Sequence, residues 1–318
     1  MDINTQWKTD NYQFVGKAFD FAYADRLNKL SPVIGEVNSD NIDYELTGSG
    51  GYGEALSYDG SSLNEGSLHR GFKTVITPIE YALSIPVGYK EAKVDKMGET
   101  KKVGSKLGDS MALTIYMHVL RMFSNAWNAD GRHNGGDGVP WASAVHPLAS
   151  RGSAGRRFIP DEDAGTYSNI SDQAFSVGAI TAAQARANRF RTPDGLPFLC
   201  EMDTVLVSPE LEEKAKKMFG ENALLTPYSD PESDSNAANP VYGMQYIVMG
   251  GGSDGFSARQ WAVCDRRLMK ELVNIVYITR PRVLRSQLDN PLKDLFTAYA
   301  DFGVGWGDAR QIIFGDPG

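Results

Sequence analysis

Residues 47–71 hold seven Gly and five Ser in 25 positions, and this stretch lies between two segments in which apolar and polar residues alternate. Such a composition cannot bury enough apolar surface to order itself. Before it, Ile42, Tyr44 and Leu46 alternate with polar neighbours; after it, Ile79, Tyr81, Leu83, Ile85, Val87 and Tyr89 keep a period of two without a break. The pattern predicts the two legs of a long antiparallel ribbon, and Pro86, which has no N–H to donate, places the second leg at a sheet edge. A two-stranded ribbon is marginal in water. It must therefore lie on another body, or be covered by a β-rich domain built from the same chain.

The rest of the chain punctuates itself into elements. Phe19, Tyr23, Leu27 and Leu30 form an apolar stripe at helical spacing that Ser31-Pro32 ends. A single long helix is predicted from about Lys106 to Trp127, with Met111, Ile115, Val119, Met122, Phe123 and Ala126 on one face and Asp109 in the first turn, where its charge suits the helix dipole. The Gly-rich run 130–138 ends it. Beyond lie a predicted helix (about 180–190), a strand (204–207), a helix (209–219) and an acidic loop (227–239). A hairpin with legs 241–249 and 256–264, a strand over 272–279 and a last piece over 295–314 complete the chain.

With 42% hydrophobic residues in a chain of 318, there is enough apolar surface for one elaborate core or two modest ones. No apolar run approaches the length of a membrane span, and the residues after Met1 are acidic and polar, so synthesis in the cytoplasm is expected. Cys200 and Cys264 each sit in an apolar, strand-like stretch, where a buried reduced thiol is the expected occupant. The net charge of −8 argues against bulk attraction to nucleic acid, which basic proteins obtain through counterion release. Charge is uneven: residues 70–106 carry eight bases against four acids, 259–285 seven against two, and 201–239 nine acids against three bases. Such blocks suit contacts between subunits or ordinary solvated faces.

Several short motifs carry chemistry elsewhere. Gly251-Gly252-Ser253-Asp254-Gly255 fits the GxSxG nucleophile elbow, which needs a strand before the serine and a helix after it. Here FSARQWAVC alternates like a second strand, so a hairpin turn accounts for the glycines. His146 lies upstream of Ser253, opposite to the serine, acid, histidine order of α/β-hydrolases. Gly48-Ser49-Gly50-Gly51-Tyr52-Gly53 fits the dinucleotide GxGxxG, but no helix long enough to face a pyrophosphate follows. His133, Asp130, Asp137 and His146 form the one His/carboxylate cluster in the sequence, read as solvated loop residues rather than metal ligands held on fixed elements. His118 reads as a packed or partly exposed helix residue, and Asn169-Ile170-Ser171 as a sequon without meaning in a cytoplasmic chain. No catalytic residue, cofactor site or metal site is assigned.

Taken in order, DGVPW, AVHPL, GTYSN, a short helical run, DGLPF and TVLVSPELEEKAKKMF between Asp137 and Phe219 resemble the central region of tailed-phage major capsid proteins, in particular the Mu-like major head subunit family. The ending YADFGVGWGDARQIIFGDPG resembles that family's closing strand, which returns to the P-domain; Trp306 and Arg310 occupy its Trp and Arg positions, with the usual Asp-Trp-Arg order altered. The resemblance covers most of the chain from Ile42 onward. It implies an α+β, Hong Kong 97-like capsid fold: an N-terminal arm (1–41), an extended E-loop β-ribbon (42–90) draped over neighbouring subunits, a first part of the P-domain with a long spine helix (91–131), an A-domain (132–271) and P-domain return strands (272–318). It further implies a non-enzymatic head protein that forms hexamers and pentamers and closes an icosahedral shell around double-stranded phage DNA without sequence-specific binding. Implied partners are further copies of itself, a portal, decoration proteins and a separate scaffolding protein, the last because the arm helix follows Met1 too closely for a fused scaffolding segment. The implied location is the virion, after assembly in the host cytoplasm. The alternatives are an encapsulin-like nanocompartment shell, a serine hydrolase using Ser253, and a β-rich virion accessory or receptor-binding module.

Overall fold

The structure, a computed structural model, describes residues 12–13, 15–24, 30–49, 58, 70–88, 99–130, 133–147, 166–192, 197–219, 239–250, 254–287 and 293–317. Helix α1 (15–24) is followed by β1 (Gly35–Asn38), β2 (Tyr44–Ser49), β3 (Arg70–Ile76), β4 (Ile79–Gly88) and the long helix α2 (Glu99–Ser124). Then come β5 (His146–Pro147), β6 (Thr166–Tyr167), β7 (Ile170–Ser171), α3 (Val177–Ala187), β8 (Thr204–Val207) and α4 (Glu212–Phe219). The last elements are β9 (Gln245–Val248), β10 (Trp261–Cys264), α5 (Arg266–Leu272), β11 (Val273–Gln287), β12 (Lys293–Trp306) and β13 (Ile312–Gly315). The chain divides into two compact units: residues 1–44, 76–119 and 274–304 form the first, and 45–75, 120–273 and 305–318 the second.

The first unit is a four-stranded sheet in the order β1-β11-β12-β4, with β1 parallel to β11 and β4 antiparallel to β12. Phe296, Ala298, Ala300 and Phe302 lie on one face of β12 and are buried, as a period of two dictates for a half-covered sheet. Helix α2 turns Leu107, Met111, Ile115 and Val119 inward. Its glycines at 104 and 108, one turn apart on one face, let α1 come close. A Cβ at either would stand 2.5 Å from the carbonyl oxygen of Val15 or Phe19. The loss of about 1 kcal/mol of helix propensity per glycine is thus offset by packing. Tyr81 of β4 meets Phe302 at 4.7 Å and His118 of α2 at 4.9 Å between ring centroids, so His118 is a packed helix residue as expected.

The second unit is built on a five-stranded sheet in the order β7-β13-β10-β8-β9. Val205, Val207, Trp261, Val263 and Ile313 form a core with Phe175 and Ile180 on one face of this sheet. On β10, Ala262 alternates with these residues, as Phe314 does on β13; Phe314 meets Trp127 and Trp141 at 5.2 Å each. Caps follow simple chemistry. Ser176 Oγ accepts from Ala179 N at the start of α3, and Asp265 Oδ1 accepts from Arg267 N and Leu268 N at the start of α5. The ribbon strands β2 and β3 form their own two-stranded sheet.

Four expectations change. The partner of β2 is β3, not the strictly alternating 79–88 segment, which pairs instead with Lys293–Phe302 as β4. Alternation marks a strand and its buried face but carries no information on the neighbour; the apolar face of β4 found a matching face on β12. Pro86 does fall on an edge strand. The expected 241–249 and 256–264 hairpin is also absent: β8 lies between β9 and β10, parallel to the first and antiparallel to the second. All four residues of β8 are buried, so it fits a central position with a partner on each side. Finally, the closing strand β13 lies in the second unit's sheet between β7 and β10. The long helix runs from Glu99, earlier than expected, because Gly104 packs rather than breaks it. Cys200 and Cys264 are free and buried, as read from their apolar surroundings.

Candidate functional site

The sequence brings its chemistry-bearing residues to different places. Ser253 lies outside the described residues; the segment after it, 254–260, is turn leading into β10 rather than the helix that an elbow requires. Of the GxGxxG run, Gly48 and Ser49 belong to strand β2 and the remainder lies outside the described residues. Among the described residues, no group of three or more His, Cys, Asp and Glu is placed to hold a metal ion, and no helix is long and apolar enough to cross a membrane.

The His/carboxylate cluster splits in two. His133 and Asp130 sit 3.7 Å apart on the surface. Asp137 and His146 instead form a buried pair, with Nδ1 of the ring 2.7 Å from Oδ2, which corrects the reading of these two as solvated loop residues. The other ring nitrogen, Nε2, lies 3.1 Å from the Trp141 carbonyl oxygen and 3.2 Å from Asn169 Oδ1. Strand β5 brings His146 against β6, where its ring stacks on Tyr167 at 5.1 Å. Burial, and after it the Asp308 charge, push the Tyr167 hydroxyl well above its ordinary pKa, so this wall of the site stays neutral.

Asn169, dismissed as a sequon, is the hub of this region and is fully buried. Its amide Nδ2 donates to the carbonyl oxygens of Trp141 at 2.7 Å and Ala309 at 3.3 Å, and its Oδ1 accepts from Ser143 N at 2.9 Å. Its backbone accepts from Phe314 N of β13. One side chain thus ties together three segments far apart in sequence, and every polar atom it buries is used. Nothing in the sequence around Asn169 signals this, because its partners, the His146 ring and backbone atoms, lie more than twenty positions away.

A second buried polar pair lies on the way into β13. Arg310 Nε is 3.0 Å from Asp308 Oδ1; the guanidinium also donates to the Arg191 carbonyl oxygen at 2.9 Å and lies over the Phe198 ring at 4.4 Å. Burial works against the Arg310 charge, but the Asp308 carboxylate outweighs it and holds the guanidinium pKa above its usual value. Trp306 stacks on Trp141 at 5.6 Å with planes 10° apart. The two residues singled out by the sequence, Trp306 and Arg310, are therefore internal supports. These buried polar groups are held by their neighbours.

Several large apolar side chains remain open to other molecules. On edge strand β4, Ile79 is 60% exposed and Leu83 44%, although they share a face with Tyr81 and with the buried face of β12. Val75 on β3 and Leu113 on α2 are exposed as well. Among the described residues, ribbon strands β2 and β3 have no third strand beside them.

Neither a family model nor a curated protein matches this sequence. Solved structures do. The capsid of a native GTA particle aligns at a TM-score of 0.52 with 12% identity, covering 90% of this chain and 89% of that one. A virus-like particle from Pyrococcus furiosus aligns at 0.53 with 8% identity, over 96% and 99% of the two chains. The capsid of Ralstonia phage GP4 aligns at 0.52 with 14% identity, over 90% and 88%. The likeness runs through both units and nearly the whole length of each chain, so this protein has the α+β fold of Hong Kong 97-type capsid subunits.

Proposed function

We propose that this protein is a major capsid protein whose copies associate as hexamers and pentamers into an icosahedral shell around phage DNA. The observation that carries the reading is the full-length fold match to shell subunits, in a chain whose ribbon and edge strand β4 leave apolar side chains uncovered. The buried polar groups Asp137, His146, Asn169 and Arg310 are hydrogen-bonded to neighbours within the second unit, which supports a structural role over catalysis. The ordered turn set from Asp137 to Phe219 supports placement in the Mu-like head subunit family. The ribbon belongs to the E-loop, draped on a neighbour, because a two-stranded ribbon gains its stability from what it lies on.

A net charge of −8 on every copy opposes closure through self-repulsion, which a separate scaffolding protein or salt offsets. The experiment is sedimentation and electron microscopy of the purified chain, alone and co-expressed with its scaffold. Capsomers, tubes or irregular particles from the chain alone, and uniform shells with the scaffold, are expected. A chain that stays monomeric at all salt concentrations overturns the reading. Shells that package protein cargo and exclude DNA point to a nanocompartment instead, and labelling of Ser253 by a fluorophosphonate points to a hydrolase.

A further inference from the structure

The buried Asp137–His146 pair stands at one end of a chain of contacts whose other end is the ribbon. Asp137 belongs to a tight turn in which Gly138 N donates to the Gly135 carbonyl oxygen at 3.0 Å and Gly135 N to that of Val139 at 3.1 Å. Gly138 has φ +80°, a backbone that L side chains rarely adopt. Asp137 holds the turn with both oxygens: Oδ1 accepts from Val139 N at 3.3 Å, and Oδ2 faces His146. The outer side of the same turn meets β3. Gly136 N donates to Thr74 Oγ1 at 2.9 Å, and a Cβ at Gly136 would stand 2.2 Å from the Lys73 carbonyl oxygen. The two backbones touch, and only glycine permits it.

The inner end is anchored differently. His146 is fixed by Trp141 O and by Asn169, which is itself bonded to the segments before and within β13. A continuous path thus runs from the five-stranded sheet through Asn169, His146 and Asp137 to the turn, and from the turn to Thr74 at the base of the ribbon. Along the rest of β2 and β3 the described residues offer two comparable supports: Leu46 against Gly307, where a Cβ would lie 2.6 Å from Leu46 Cγ, and Ile76 at the end of β3 against Gly303, where a Cβ would lie 2.9 Å from Ile76 Cγ2.

We propose that the Asp137–His146 pair is the latch that positions the ribbon: it holds the 135–138 turn against β3, and through that turn sets how β3 lies on the rest of the second unit. His146 and Asp137 are positioning residues, acting on the ribbon only through the turn. The consequence for shell formation rests on the proposed capsid function; the latch itself does not.

The test is hydrogen exchange of the full-length chain, which reads the ribbon whether or not shells form. In His146→Gln and in Asp137→Asn, amides of 70–76 should exchange about ten-fold faster, the loss expected for one charge-assisted hydrogen bond. Amides of 204–207, 261–264 and 312–315 should change less than about two-fold. Thr74→Val, which removes the outer contact at a partly exposed site, should loosen 70–76 alone, and adding it to His146→Gln should produce little further change. Unchanged ribbon exchange in Thr74→Val or in the pair variants overturns the latch. So does equal loosening of ribbon and sheet, which marks the pair as general core support. Should His146→Gln fail to fold, Asp137→Asn and Thr74→Val decide the matter by the same readout. Shell yield, measured on the same variants by sedimentation, separates the two levels: a looser ribbon with normal shells leaves the latch standing and counts against ribbon-mediated assembly.

Discussion

Arg310 and Asp308 face each other two residues apart inside the second unit, with Nε 3.0 Å from Oδ1 and side chains 5% and 6% exposed. A charge so buried is tolerable only with its partner in place. Arg310→Met should therefore cost about 3–5 kcal/mol in chemical denaturation. The double variant Asp308→Asn/Arg310→Met should cost less than the sum of the single changes, because neither charge is left alone. Arg310→Lys should not rescue, since an ammonium cannot keep both the carboxylate and the Arg191 carbonyl while lying over Phe198. Strict additivity in the double-mutant cycle would show that the pair is not coupled.

Gly315 lies opposite Trp261 in the sheet, and a Cβ there would stand 2.1 Å from the indole Cε2. Trp261 is fully buried and its Nε1 donates to the Gln173 carbonyl oxygen at 3.1 Å, so the ring has no free direction in which to move. Gly315→Ala should destabilise the protein by about 1–3 kcal/mol, the usual penalty of overpacking. Thermal or urea unfolding measures it, and an unchanged midpoint would mean the strand shifts to make room.

Both thiols should be inert in the native protein. Burial, and then the Asp265 charge, push the Cys200 thiol up to about 11, and burial holds that of Cys264 well above its ordinary value. Reaction requires the thiolate and an approach. Iodoacetamide at mildly alkaline pH should label neither residue in folded protein and both after denaturation, as read by mass spectrometry. Labelling of Cys264 in the folded state would contradict its burial.

Asp301 of β12 sits directly across from Glu80 of β4, two acids in register at the sheet edge. Burial and then Glu80 raise the Asp301 carboxyl above its ordinary 3.8. A carboxyl whose pKa is raised on folding favours the folded state when protonated, and that contribution is lost as pH rises through the folded value. Asp301→Asn should therefore stabilise the protein at neutral pH, by on the order of 0.5 kcal/mol. The gain should vanish once the pH falls below 3.8, where the native carboxyl is protonated in folded and unfolded chains alike. Equal effects at both pH values would exclude the like-charge repulsion.

Much of this arrangement is written locally. The stripe Met111, Ile115, Val119 and Phe123 has one face on any helix of normal pitch, and that face is buried. TVLV at 204–207 is apolar on both sides and became a central strand; Pro86 could not donate and became an edge. Cys200 and Cys264, set among apolar neighbours, are buried thiols. Each outcome follows from the spacing or chemistry of residues within a few positions of one another, which a sequence displays directly.

The remainder was decided by contacts between distant segments. The alternation of 79–88 specifies a strand with one apolar face, but several faces along the chain would satisfy it, and only packing chose β12 over β2 as its neighbour. His146, in the loop that follows the glycine-rich run 130–138, has the sequence signature of a surface residue. It became buried because the Asp137 carboxylate, the Trp141 carbonyl and the Asn169 amide converge on it from separate turns, and a buried polar ring is tolerated only where such partners meet. Periodicity determined which side of each element faces inward; the choice of neighbour, and with it the burial of Asp137, His146 and Asn169, belongs to the tertiary structure, because these hydrogen-bond partners are selected by position in space and leave no period in the chain.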